Sequence, residues 1–412
     1  MEGIVDIVFF IIVISAGFVI NRIMKWQFPA IQVIVLDLLF IFHLFVSFGY
    51  YLYALSNNSD SHSYYNKVLL QVRGESWGDY FATGTSFIEF VAWPFIQIFN
   101  LRYESLMLLF AFFGYIGLMF FYAFFKENIR FKHYWLGAAL MPAVFFLPNL
   151  HFWSASLGKG SLILMGIGMF FFSLSNSSKR WPLAVLSLPL IYYVRPHIAF
   201  IFLAAIGIAL LLGNKDLKAK QKVALFLVST ITLGFLYQSV FQYVGIEGEG
   251  GLIDEGFEMT SNLANKLSSR ADSGVDISNF NLFQKIFVFM YFPIFFNANG
   301  ILGFFVSFEN LFYLLITFQL LRTGFIKFFF NTDFVTKTAF IAFVGSAVAL
   351  AHISGNFGIA IRMKSMIMLL FLFVVLRYMD QKQWSSRVYR WKRYSRQLRL
   401  TKKKKEPVVA PI

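Results

Sequence analysis

Apolar runs close to the length of a membrane crossing follow one another from residue 4 to residue 376, each closed by a short polar or basic segment. A helix needs about 20 apolar residues to cross the hydrocarbon core of a bilayer. A soluble domain could not hide such a series. With 58% of the 412 residues hydrophobic and 14% charged, there is too little polar surface to cover a water-soluble body; ordinary chains are about one quarter charged. The expected fold is all-α, a polytopic transmembrane bundle of about 11 spans, with short interfacial or re-entrant helices on the outer face.

The runs lie at 4–20, 31–55, 105–125, 134–150, 162–174, 182–194, 198–212, 223–243, 301–321, 338–354 and 365–376. The first lacks a cationic leader and a small-residue cleavage site, so it is read as a retained span. Two further stretches, 86–100 and 286–296, are apolar but too short to cross, and hold Pro94 and Pro293. Arg195-Pro196-His197 reads as a tight turn at a membrane face, or alternatively as the break in one long helix. The expected organisation is a transmembrane domain over 1–376, outer-face loops at 57–104 and 244–300, and a basic tail at 377–412.

Lysine and arginine concentrate in cytoplasmic loops. Arg22/Lys25, Lys126/Arg130/Lys132, Lys179/Arg180, Lys215/Lys218/Lys220/Lys222, Arg322/Lys327 and the tail fall on one side of such a bundle. This places the N-terminus outside and the C-terminus in the cytoplasm. The formal charge of +15 belongs largely to the tail, RVYRWKRYSRQLRLTKKKK. Its expected partner is anionic inner-leaflet lipid rather than nucleic acid. The absence of cysteine excludes a disulfide framework, a thiolate metal site and a cysteine nucleophile.

The opposite face collects the candidate chemistry. The break HFWSASLGKGS carries His151, Trp153 and Lys159, a cation where the topology rule disfavours one. Arg195 and His197 mark a second break, and Arg362 and Lys364 a third. Any one of these cations can snorkel to the headgroups. As a set at span ends they describe a pocket for a lipid-anchored phosphate or diphosphate. Asp60 and His62, in DSHSYY, are the catalytic candidates, Asp60 as the base that activates an accepting hydroxyl. The bland reading of NNSDS is turn chemistry. Tyr64 and Trp153 join Lys159, Arg195, His197, Arg362 and Lys364 as substrate-binding candidates. No cofactor is expected, and no clustered ligand spacing argues for a metal, although a divalent ion is compatible with the chemistry. Asp37, His43 and Glu309 lie within or near the ends of spans, as functional groups or as satisfied interhelical hydrogen bonds. GKGS is no P-loop, since no strand precedes it and the upstream glycine is missing.

These segments resemble known ones. DSHSYY resembles the first outer loop of large multi-spanning glycosyltransferases that use polyprenyl-linked donors. FWSASLGKGS resembles the W-S-x-x-x-G-K-[ED] pattern of multi-spanning proteins from bacterial exopolysaccharide and O-antigen gene clusters. YYVRPHIAF, MYFPIFFNANGILGFFVSFENL and GNFGIAIRMKS resemble further segments of the same proteins. Two departures stand out: Gly160 where an acid is common, and Tyr291-Phe292-Pro293 where Arg-Pro is common. The resemblance implies a polysaccharide polymerase or sister glycosyltransferase of the bacterial inner membrane, acting on undecaprenyl-diphosphate-linked sugars without a nucleotide site. Arg195, Arg362 and Lys159 would hold the diphosphate, and the acidic segment 244–281 would fold over the glycan. Other polysaccharide assembly proteins are compatible partners. The competing expectations are a transporter or flippase for a lipid-linked glycan, and a non-catalytic membrane assembly protein.

Overall fold

The computed structural model describes residues 2–135, 137–213, 217–244, 280–298, 300–321, 323–353 and 357–403. The acidic segment expected to cover the glycan lies outside these residues over 245–279. The fold is almost entirely helical. In chain order the helices are α1 (Glu2–Gln27), α2 (Val33–Ser56), α3 (Asp60–Leu69), α4 (Thr85–Trp93), α5 (Tyr103–Asn128), α6 (Leu140–Ala143), α7 (Pro148–Ser154), α8 (Lys159–Leu174), α9 (Ser177–Val194) and α10 (Pro196–Leu211). They continue as α11 (Ala219–Val244), α12 (Leu282–Tyr291), α13 (Gly300–Thr317), α14 (Phe325–Asn331), α15 (Phe334–Ile353) and α16 (Phe357–Lys403).

Among the described residues five helices, α1, α2, α5, α15 and α16, are long and apolar enough to cross a membrane, and six if the bent pair α7 and α8 counts as one span. α1 and α2 turn apolar side chains outward, with Ile4 at 65% and Phe45 at 72% exposure, as lipid-facing helices do. α5 is central and mostly buried. It meets α8 at small residues: a Cβ on Gly117 would lie 2.6 Å from the Leu164 carbonyl, and one on Gly168 would lie 2.4 Å from the Gly117 oxygen. Small residues of this kind let membrane helices approach backbone to backbone.

The stretch expected as one span over 134–150 is broken. It forms a short hairpin, β1 (Tyr134–Trp135) with β2 (Ala138–Ala139), around Gly137 at φ 80°. α6, a 3-10 turn and α7 follow. Pro142 and Pro148 each lack the amide a continuous helix needs, and Pro148 begins α7 instead. The loop after α2 is also more ordered than its polar composition suggests, since Ser59 caps α3 through the Ser61 amide. The apolar stretch 86–100 becomes α4 plus one π turn, Pro94–Ile98, a short element packed under α3 and against α9.

α16 runs unbroken from Phe357 to Lys403, so the expected boundary at 376/377 falls inside a helix. Its 27 residues beyond Leu376 extend it by about 40 Å at 1.5 Å per residue. The exit is anchored. Arg377 pairs with Asp333 at 2.8 Å, and Asp380 accepts the Arg130 and Phe131 amides at 3.0 and 2.7 Å. The Arg387 guanidinium lies 4.3 Å from the centre of the Phe131 ring.

Candidate functional site

Four helix beginnings carry the candidate residues. Asp60 is the first residue of α3 and Lys159 the first of α8. Arg195 immediately precedes α10, and Arg362 lies in the second turn of α16. A helix N-terminus carries partial positive charge, which favours the Asp60 carboxylate and disfavours the cations beside the other three. Cations held there in spite of that field create a strongly positive locus.

Asp60 and Arg362, 302 residues apart, form an ion pair at 2.5 Å, with Asp60 57% and Arg362 27% exposed. The Arg362 guanidinium also sits 5.7 Å from the centre of the Trp153 ring, and its charge acts on the Tyr64 phenol. Burial, then the Asp60 charge, pushes the Tyr64 phenol above its ordinary value, while Arg362 and Arg195 pull it back. Tyr64 is therefore a neutral hydrogen-bonding group at neutral pH. Lys159 feels Arg195, Arg362, Asp60 and Glu89, and His197 feels Arg195 and Lys159. Gly158 touches the same group: a Cβ there would lie 3.6 Å from Tyr64 Cε2 and 3.9 Å from Arg362 Nη2. Asp60, Tyr64, Trp153, Lys159, Arg195, His197 and Arg362 thus form one neighbourhood.

The bend between α7 and α8, 111°, places Lys159 there. It is made possible by Gly160, whose Cβ would lie 1.9 Å from the Trp153 carbonyl oxygen. An acid at this position, as the resembled pattern has, cannot fit without moving α7.

Two candidates point elsewhere. The His62 ring donates from Nε2 to the Ala54 carbonyl at 3.0 Å and stacks on Tyr103 at 4.5 Å, so it fixes α3 to α2. The Lys364 ammonium is fully buried and donates to the carbonyls of Met290 and Phe292, both at 3.2 Å, and to Asn310 Oδ1. It closes the C-terminal end of α12, where unsatisfied carbonyls welcome a cation.

Several further groups surround the site. Glu89 on α4 is fully buried and pairs with Arg73 and, at 3.8 Å, with Lys67. As a lone acid inside the apolar run SFIEFVAW it is expected to pair with Arg102 or another outer-face arginine, and the arginine is Arg73. Trp153 Nε1 donates to Asn149 Oδ1 at 3.0 Å, and the Asn149 amide donates to Glu309 at 2.5 Å. Glu309 and Asn149 border an apolar cavity of about 300 Å³ that has Trp153 as a wall. In the interior, His43 and His151 meet Nδ1 to Nδ1 at 2.8 Å, each facing a carbonyl through Nε2. Around Lys159 stand two further cations, Arg195 and Arg362, and two carboxylates, Asp60 and Glu89, the first paired with Arg362 and the second with Arg73 and Lys67. The excess is positive, so the arrangement suits an anion. Among the described residues no group of three His, Asp or Glu side chains is placed to hold a metal ion.

No family model matches the chain, and no curated protein and no solved structure is similar to it.

Proposed function

We propose that the chain is a membrane glycosyltransferase of the polysaccharide-polymerase type, joining sugars carried on undecaprenyl diphosphate at the outer face of a bacterial inner membrane. The observation that carries this reading is the pairing of Arg362 with the exposed Asp60 carboxylate, at a locus where the charges of Lys159, Arg195 and Arg362 act on one another. The three cations hold the diphosphate by charge-assisted hydrogen bonds, Arg362 and Arg195 through the guanidinium fork. Asp60 occupies Arg362 until an anion competes for it. The released carboxylate then takes the proton of the acceptor hydroxyl. That oxygen attacks the anomeric carbon, the bond from this carbon to the diphosphate breaks, and the electron pair leaves with the carrier. Lys159 and the two arginines stabilise the charge that develops on the leaving group. Trp153 offers an aromatic face for a sugar ring.

In this reading the shorter apolar helices complete a bundle of about 11 crossings, with the N-terminus outside and the basic end of α16 in the cytoplasm near anionic lipid. Transport is the competing reading. A carrier needs its cations along a path through the membrane, whereas here they stand at the beginnings of α8, α10 and α16, facing the acid at the beginning of α3. The test is complementation of a deletion strain with Asp60→Asn, Lys159→Ala, Arg195→Ala and Arg362→Ala at matched expression. Surface glycan is read on gels and lipid-linked repeats by mass spectrometry. The expected result is loss of long chains with single repeats accumulating on the outer leaflet. Normal polymer in all four would remove the site, and repeats trapped on the inner leaflet would make the protein a flippase.

A further inference from the structure

The cavity beside the cations is apolar. Val46 and Tyr53 of α2, Phe152 and Trp153 of α7, Val306 of α13 and Ile361 of α16 are among its walls, and its volume is about 300 Å³. That is at the lower end of small-molecule sites, roughly 300–1,000 Å³. It is joined to the anion-binding neighbourhood at two points. Trp153 walls the cavity and also lies 5.7 Å from the Arg362 guanidinium. Ile361, another wall, is the residue before Arg362. A ligand whose anion sits on Arg362 therefore has its next few atoms at the cavity. Hydrocarbon suits those atoms, because the walls are mostly apolar and the carboxylate and amide at the border are already engaged: Glu309 by the Asn149 amide and the Tyr313 hydroxyl, and Asn149 Oδ1 by Trp153. A sugar would leave hydroxyls unpaired there, which an isoprenoid chain does not.

We infer that this cavity receives the phosphate-proximal isoprenoid units of the carrier, so that the protein selects its donor by the branched chain next to the diphosphate as well as by the diphosphate itself. The inference rests on the proposed anion site, and the two are separable. The experiment measures equilibrium binding to the full-length protein in detergent of inorganic diphosphate, farnesyl diphosphate and a dipalmitoyl phosphatidic acid. The cavity is filled in two alternative variants, Val306→Phe and Val46→Phe, so that one misfolded variant does not decide the outcome. Farnesyl diphosphate is expected to bind at least tenfold tighter than inorganic diphosphate. Either variant is expected to cut that advantage to less than threefold while inorganic diphosphate binds as in the wild type. Arg362→Ala is expected to weaken both diphosphates. An unchanged farnesyl advantage in both well-folded variants would overturn the cavity assignment and leave the anion site standing. Phosphatidic acid binding as tightly as farnesyl diphosphate would make the cavity a general acyl site and overturn the isoprenoid assignment. Diphosphates that bind no better to wild type than to Arg362→Ala would overturn the anion site, and the inference with it.

Discussion

Gly160→Ala is a single-methyl test of how the site is built. The added carbon would stand 1.9 Å from the Trp153 carbonyl oxygen, and the obstacle is backbone, so no rotamer change removes it. Alanine gains about 1 kcal/mol of helix propensity over glycine. Overpacking costs about 1–3 kcal/mol and more where the neighbour cannot yield. The net expectation is a destabilisation of about 2 kcal/mol, which lowers the apparent Tm by about 2 degrees in a chain of this length. Because relief requires α7 to move away from α8, Trp153 and the Arg362 guanidinium it faces shift as well, so glycan synthesis falls further than stability. Gly158→Ala is the control two residues away. Its Cβ would meet Tyr64 at 3.6 Å, an ordinary contact, and its extended φ of 166° suits any residue. It should stay within about 0.5 kcal/mol of wild type, as substitutions without a named defect do. The assay is thermal unfolding in detergent with polymer length read in parallel. Equal stability of Gly160→Ala and wild type, or greater damage from Gly158→Ala, would refute the close-approach account of the bend. Gly160→Asp, which restores the acid of the resembled pattern, should be worse than alanine and fail to rescue activity.

Other parts of the structure make sharper or simpler claims. His43→Leu removes the partner of His151 Nδ1 in a buried pair, and should destabilise by about 1–3 kcal/mol; equal thermal stability of the variant would dismiss the pair. Asp333 is pushed up by burial but pulled below the ordinary carboxylate range by Arg377 and the Thr336 amide. A depressed carboxyl gives stability that is present above its unfolded value and lost as pH falls through the folded one. Asp333→Asn should therefore lower stability at neutral pH and narrow its gap to wild type in acid, a comparison that pH-dependent unfolding makes directly. Lys364→Met removes the ammonium from the carbonyls of Met290 and Phe292. It should loosen α12 with stability and activity falling together, so loss of activity at unchanged stability would return Lys364 to the site.

Much of the fold was legible because hydrophobic length is a coarse and robust signal. The long helices α1, α2, α5 and α15 follow their apolar runs within a few residues. The run over 134–150 misled because composition alone does not register that Pro142, Pro148 and Gly137 divide it into pieces too short for a helical crossing. The cations of the site could be found because each interrupts apolar sequence at a helix beginning. What sequence could not supply was direction. His62 and Lys364 lie two residues from Asp60 and Arg362 on the same helices, yet one turns to the Ala54 carbonyl and the other to the end of α12. Periodicity does not fix that choice; the packing of α3 on α2 and of α16 on α12 does. Glu89 could be read as an acid that pairs with an arginine, but not with which one, since its partners Lys67 and Arg73 come from α3 and the turn after it, across the loop.

The central claim is that the cations around Asp60 drive transfer between lipid-linked sugars. The most direct test is reconstitution of the purified full-length protein in liposomes with undecaprenyl-diphosphate-linked repeat from its own cell, with products resolved by mass spectrometry. Wild type should release undecaprenyl diphosphate in step with the appearance of two or more repeats on one carrier. Asp60→Asn and Arg362→Ala should abolish both while the repeat still binds Asp60→Asn. Carrier-linked repeats that cross the bilayer with no new glycosidic bond, or elongation unaffected by either substitution, would contradict the account.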